Sequence, residues 1–87
     1  MTSTGPGYHL ADIPKGKLGE ISKIREELDE LIDAEAQGVR IMALVELSDL
    51  VGALRAYLSR YYPGFTVSDL ERMSHVTERA FRNGHRS

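Results

Sequence analysis

The sequence contains no cysteine and no tryptophan, and only three prolines in 87 residues. Without cysteine there is neither a disulfide framework nor a thiolate zinc site. Charge of neither sign dominates: 11 Lys+Arg stand against 13 Asp+Glu, a net charge of −2. That balance argues against a general nucleic-acid binder, which carries a basic excess. No apolar run approaches the ~20 residues of a membrane span. The opening Met1-Thr2-Ser3-Thr4-Gly5-Pro6-Gly7 has no basic stretch leading into an apolar one, so no signal peptide is expected and the protein is assigned to the cytoplasm. No alternating strand pattern, internal repeat or low-complexity tract is present. The length is that of one small domain, which alone buries only roughly 60–65% of its unfolded surface. With disulfides excluded, the staples left to such a chain are a metal held without thiolates or a partner subunit.

What is present is helical patterning. Gly5, Pro6, Gly7, Pro14 and Gly16 crowd residues 1–17, which reads as an irregular N-terminal arm. Residues 18–87 form the expected single domain. From Leu18 to Gln37 the apolar residues Ile21, Ile24, Leu28, Leu31 and Ile32 recur at the spacing of one helical face, and Gly38 stands where a C-cap glycine belongs. A second helix is expected from about Val39 to Leu58 or slightly beyond, ending before Pro63. Tyr62-Pro63-Gly64-Phe65 reads as a turn. Thr66 and Ser68 are both candidate N-caps of a third helix, Ser68 having Glu71 three residues on. That helix carries Leu70, Met73, Val76, Thr77 and Ala80 and ends around Asn83-Gly84. The expected class is all-α: a helical hairpin plus a third helix.

Two acidic pairs stand out. Glu27 and Glu30, at i and i+3, share one side of the first helix beside its apolar sector. Glu26, Asp29 and Asp33 read as a solvated charged face on the far side. The second helix is apolar on nearly every side, as a buried helix is, yet Glu46 and Asp49 share one side of it among Met42, Ala43, Leu50, Ala53 and Tyr57. Two carboxylates in that setting cost several kcal/mol each unless protonated, paired or bound to a metal. A short connection at Gly38 makes the helices antiparallel neighbours, and at 1.5 Å per residue the two pairs come to about the same height. Four carboxylates then converge, an all-oxygen set suited to a hard cation such as Mg²⁺ or Mn²⁺.

The compound pattern Glu26-Glu27-Leu28-Asp29-Glu30 … Glu46-Leu47-Ser48-Asp49 resembles the all-α nucleoside triphosphate pyrophosphohydrolases: MazG, the dimeric dUTPases and phosphoribosyl-ATP pyrophosphohydrolase. It looks most like the short, single-domain MazG-like proteins, over about residues 18–58. The resemblance implies Mg²⁺-dependent hydrolysis of a (d)NTP between the α and β phosphates, giving a monophosphate and pyrophosphate. By matching positions, Glu27, Glu30, Glu46 and Asp49 would hold the metal, and Glu26 and Glu27 would be the catalytic pair. It also implies a homodimer or homotetramer with a four-helix-bundle core made from the first two helices of each chain.

Lys23, Arg79 and Arg82 are the candidate phosphate contacts, each also explicable as an ordinary helix charge. His9, His75 and His85 show no metal-ligand spacing among themselves and read as surface or packing residues. No Glu-x-x-His occurs, which counts against a ferritin-like di-iron bundle. Tyr57, Tyr61, Tyr62 and Phe65 read as packing at the end of the second helix rather than as base-stacking rings. Two alternatives stay open: a catalytically idle oligomerisation or adaptor module, and a pyrophosphohydrolase for phosphoribosyl-ATP or another specialised nucleotide.

Overall fold

In the computed structural model, residues 9–82 are described, with 79–82 as backbone only. Three helices follow in order: α1 Ile21–Gln37, α2 Arg40–Tyr61 and α3 Val67–Arg82. No strand occurs among the described residues, and none of their helices is long and apolar enough to cross a membrane. The fold is all-α, as expected.

The helix ends follow from local chemistry. α1 begins at Ile21, three residues later than the apolar spacing suggests, because Leu18 and Gly19 turn and Gly19 takes φ 92°. It stops at Gly38, whose φ of 74° and ψ of 18° are left-handed and whose N–H donates to the Glu35 carbonyl. Nothing lies within 4 Å of a Cβ placed there, so the demand for glycine is purely one of backbone conformation. Gly38→Ala is expected to lower stability by about 1 kcal/mol, read as a lower denaturation midpoint in urea. Of the two candidate caps before α3, the chain uses Thr66. Its Oγ1 accepts from the Asp69 N–H at 3.2 Å, while Asp69 Oδ2 accepts from the Thr66 N–H at 2.8 Å.

α1 and α2 are antiparallel. Glu20, just before α1, accepts from Tyr61 Oη at 2.7 Å and pairs with Arg60 Nη2 at 3.0 Å, both at the far end of α2. Tyr57, Tyr61 and Tyr62 cluster there, with ring centroids 5.1 and 6.0 Å apart, while Tyr61, Tyr62 and Phe65 stay exposed. Among the described residues α3 packs on α2 and not on α1.

The hairpin is inverted relative to the amphipathic expectation. The buried residues of α1 are Glu26, Glu27, Glu30, Asp33 and Ala34, four acids and one alanine. Ile21, Leu28 and Ile32, expected as core, are instead 63%, 45% and 58% exposed. On α2, Ile41, Leu44, Val45, Leu47 and Val51 are exposed as well. The only buried hydrophobic side chains among the described residues are Ala34, Ala43, Ala53 and Leu58. Three alanines and one leucine supply little transfer free energy, since a buried Leu is worth about 1.5–3 kcal/mol and an Ala much less.

Candidate metal centre

The centre is built where α1 and α2 face each other. Lys23, Glu26, Glu27, Glu30, Asp33 and Gln37 recur at i+3 and i+4, so one side of α1 is a continuous polar stripe. Across from it, α2 presents Glu46, which is fully buried, and Asp49, which is exposed. Oxygens of Glu26, Glu27 and Glu30 come within 4.8 Å of one another, as do those of Glu27, Glu46 and Asp49. A third group joins Glu30 and Glu46 to His9 at the same spacing. The four carboxylates expected to converge therefore fall into overlapping groups that share Glu27, Glu30 and Glu46.

Two expectations about α1 are overturned. Glu26 and Asp33 do not belong to a solvated far face: they are 3% and 8% exposed. The N-terminal arm is what covers them. The Gly16 N–H donates to Glu26 Oε1 at 2.8 Å, and a Cβ on Gly16 would overlap the Ser22 carbonyl, so this approach needs glycine. Lys15 and Lys23 also reach Glu26, at 3.7 and 3.2 Å. Asp33 accepts from the Leu10 and Ala11 N–H groups at 3.1 Å each and from Gln37 Nε2 at 2.9 Å. His9 is the third correction. It is no surface residue; its ring bridges the centre, with Nδ1 2.8 Å from Asp33 Oδ2 and Nε2 3.0 Å from Glu46 Oε2.

Lys23 sits at the rim, 3.0 Å from Glu27 Oε2 and 3.2 Å from Glu26 Oε1. Arg79 and Arg82 fall in α3, with side chains outside the described residues, and Tyr8 and His85 also lie outside them. The i, i+3, i+4 regularity of the polar stripe is the signal that would have placed Glu26 and Asp33 inside. Nothing in the sequence points to His9, which is 37 residues from Glu46.

Comparison with protein-family models, with curated proteins and with solved structures finds no match. The centre must be read from its own chemistry.

That chemistry is a shortage of positive charge. Burial, then the charges of Glu27 and Glu46 and hydrogen bonding with both, push the Glu30 carboxyl up to about 8. Asp49 is raised by burial first and then by Glu27 and Glu46. Burial alone would lower His9, but its bonds to Asp33 and Glu46 and the charges of Glu46 and Glu30 outweigh that and raise it. Lys23 is likewise raised by Glu27 and Glu26 against the opposing effect of burial. At Glu26 and Asp33 burial opposes ionisation, but the donors around each win and lower both values. Glu27 Oε1 is buried and accepts no hydrogen bond among the described residues. A buried carboxylate oxygen without a donor is an unusual expense for a fold and fits a cation ligand.

The pH dependence follows. Glu30 is raised above its ordinary 4.5, so its favourable neutral form is fully present below that value and lost as pH rises through about 8. His9 is raised above 6.5, so its contribution too is complete below that value and lost at higher pH. The chelator-treated protein is therefore expected to melt at lower temperature near pH 9 than near pH 6. Mg²⁺ should raise Tm more at the alkaline end, because there it need not displace the Glu30 proton. Melts in EDTA and in Mg²⁺ at both pH values check this; an increment larger near pH 6 would refute it.

Proposed function

We propose that the chain is a Mg²⁺-dependent nucleoside triphosphate pyrophosphohydrolase, cleaving a (d)NTP between the α and β phosphates to (d)NMP and pyrophosphate. The observation that supports this reading is the chain of overlapping carboxylate groups that links Glu27, Glu30, Glu46 and Asp49 across two antiparallel helices. The buried, partnerless Oε1 of Glu27 supports it. Hard anionic oxygens suit Mg²⁺, and Mn²⁺ as well. A bound divalent ion supplies neutralisation of triphosphate charge and a more acidic water at phosphorus.

The chain's own residues have distinct parts. Glu27, Glu30 and Glu46, which are buried, and Asp49, which is exposed, would hold the ion. Glu27 and Glu26 are the candidates for orienting the attacking water. Lys23 stands at the rim beside both. With Arg79 and Arg82 it is proposed to contact the phosphates, for which guanidinium and ammonium donors are suited.

Self-association belongs to the same proposal. The apolar residues that α1 and α2 leave exposed are covered by the same helices of a second copy, giving a four-helix core in a homodimer or homotetramer. The buried hydrophobic residues among those described, three alanines and one leucine, supply little transfer free energy, and removing Leu28, Ile32, Leu44 and Leu47 from water would supply more.

One observation favours a second reading, a catalytically idle helical module. His9 and Lys23 already set positive groups against the cluster, which can serve structure alone. Pyrophosphate release from a panel of deoxy- and ribonucleoside triphosphates, with phosphoribosyl-ATP included, separates the two. Mg²⁺-dependent turnover of at least one substrate is expected, and no turnover across the panel leaves the idle module standing.

A further inference from the structure

We propose that His9 is a metal ligand: its Nε2, with Glu30 and Glu46, forms a nitrogen-containing end of the acidic centre that takes a first-row transition ion such as Mn²⁺ in preference to Mg²⁺. The inference rests on the metal-centre reading above and adds to it a donor that a carboxylate set does not contain.

The ring is held as metal-bound imidazoles are held. A ligating histidine nearly always gives its other ring N–H to a carboxylate, which settles the tautomer and aims the free nitrogen. Asp33 does this for His9 at 2.8 Å, and belongs to none of the three ligand groups. Asp33 is itself immobilised by the Leu10 and Ala11 N–H groups and by Gln37. A ring that merely filled space would not need so rigid a support. The opposite nitrogen is then directed at the acids, 3.0 Å from Glu46 Oε2 and 4.0 Å from Glu30 Oε1, and the proton it shares with Glu46 in the metal-free protein would leave to solvent as the ion takes its place. Two ligands on one ion at about 2.1 Å, at right angles, lie about 3 Å apart, so little movement separates this geometry from a coordinated one. The partnerless Glu27 Oε1 marks the same buried centre as one built for a cation. Imidazole nitrogen is a borderline donor that suits Mn²⁺, Fe²⁺ and Zn²⁺, whereas Mg²⁺ and Ca²⁺ keep to oxygen.

The arm thereby becomes part of the centre. Its attachment at Asp33 through Leu10 and Ala11, and further along at Glu26 through Gly16, fixes the segment that follows His9 and would deliver the ring to the ion.

The test is pulsed electron paramagnetic resonance on the full chain loaded with Mn²⁺ alone, with calorimetric Mn²⁺ and Mg²⁺ affinities measured alongside. The wild type is expected to show ¹⁴N modulation of the Mn²⁺ signal, and His9→Gln to lose it. His9→Gln should weaken Mn²⁺ binding about 10- to 100-fold while changing Mg²⁺ binding far less. Asp33→Asn, a change at a positioning residue, should weaken Mn²⁺ but keep the modulation. Mn²⁺ bound without ¹⁴N modulation, modulation that persists in His9→Gln, or tighter Mn²⁺ binding in His9→Gln would each overturn the role of His9 and leave the carboxylate centre standing. Failure of both ions to bind would overturn the centre itself, and His9 with it.

Discussion

Glu46→Gln is expected to lower pyrophosphate release by at least about 100-fold while leaving the metal-free protein no less stable. Glu46 is the most enclosed member of the centre, 0% exposed, and belongs to two of the three ligand groups, so its charge serves the whole set. Glutamine keeps the shape and a carbonyl oxygen for the His9 contact at 3.0 Å, but removes one negative charge. In the metal-free state that charge repels Glu30 and Asp49 and raises both. Its removal offsets the weakened attraction to His9. With metal the balance reverses, because the ion loses an anionic ligand in a site of low dielectric. The expected signature is therefore split: activity and the Mg²⁺-induced rise in Tm both collapse, and the Tm in EDTA holds or rises. Thermal melts with a pyrophosphate assay read both halves. A Gln variant as active as the parent removes Glu46 from the mechanism; one that unfolds in EDTA makes its charge structural.

The second large effect concerns the exposed apolar face. Leu28→Asp on α1 and Leu44→Asp on α2 are each expected to shift the protein from dimer or tetramer to monomer and to abolish its cooperative melt. Leu28 is 45% exposed in the single chain and Leu44 62%. A charge introduced where the proposed second copy would bury leucine would forfeit about 2–3 kcal/mol of transfer free energy and add the cost of an unpaired buried carboxylate. Val76→Asp on α3, 66% exposed and outside the proposed core, should leave the assembly intact. Sedimentation velocity with thermal melts decides. A wild type that is monomeric and melts cooperatively would refute the association.

Much of the backbone was legible in the sequence because its determinants are local. Breaker density marked the arm, Gly38 marked the end of α1, and Pro63 bounded α2. Both acidic pairs could be placed from helical spacing and the shortness of the connection. The faces were less legible. Periodicity identifies an apolar stripe and a polar stripe on α1 but does not say which one meets α2. The usual assumption puts Ile21, Leu28 and Ile32 inside, whereas the fold buries Glu26, Glu27, Glu30 and Asp33, two of them under the arm. For the same reason Asp33 and Glu26 read as solvent-facing from the sequence alone, whereas the apolar character of α2 reads as a surface that one chain cannot cover, and the single chain leaves it exposed.

What the amino-acid order determines alone is therefore the set of helices, their ends and the height at which the carboxylates stand along them. These depend on neighbours within about four residues, which share one turn and compete for the same backbone groups. The tertiary structure decides the rotation of α1 about its axis, the burial of the acids and the arrival of His9. Those outcomes depend on contacts between residues 10 to 37 positions apart, and pairwise matching over such distances leaves no periodic trace in the chain.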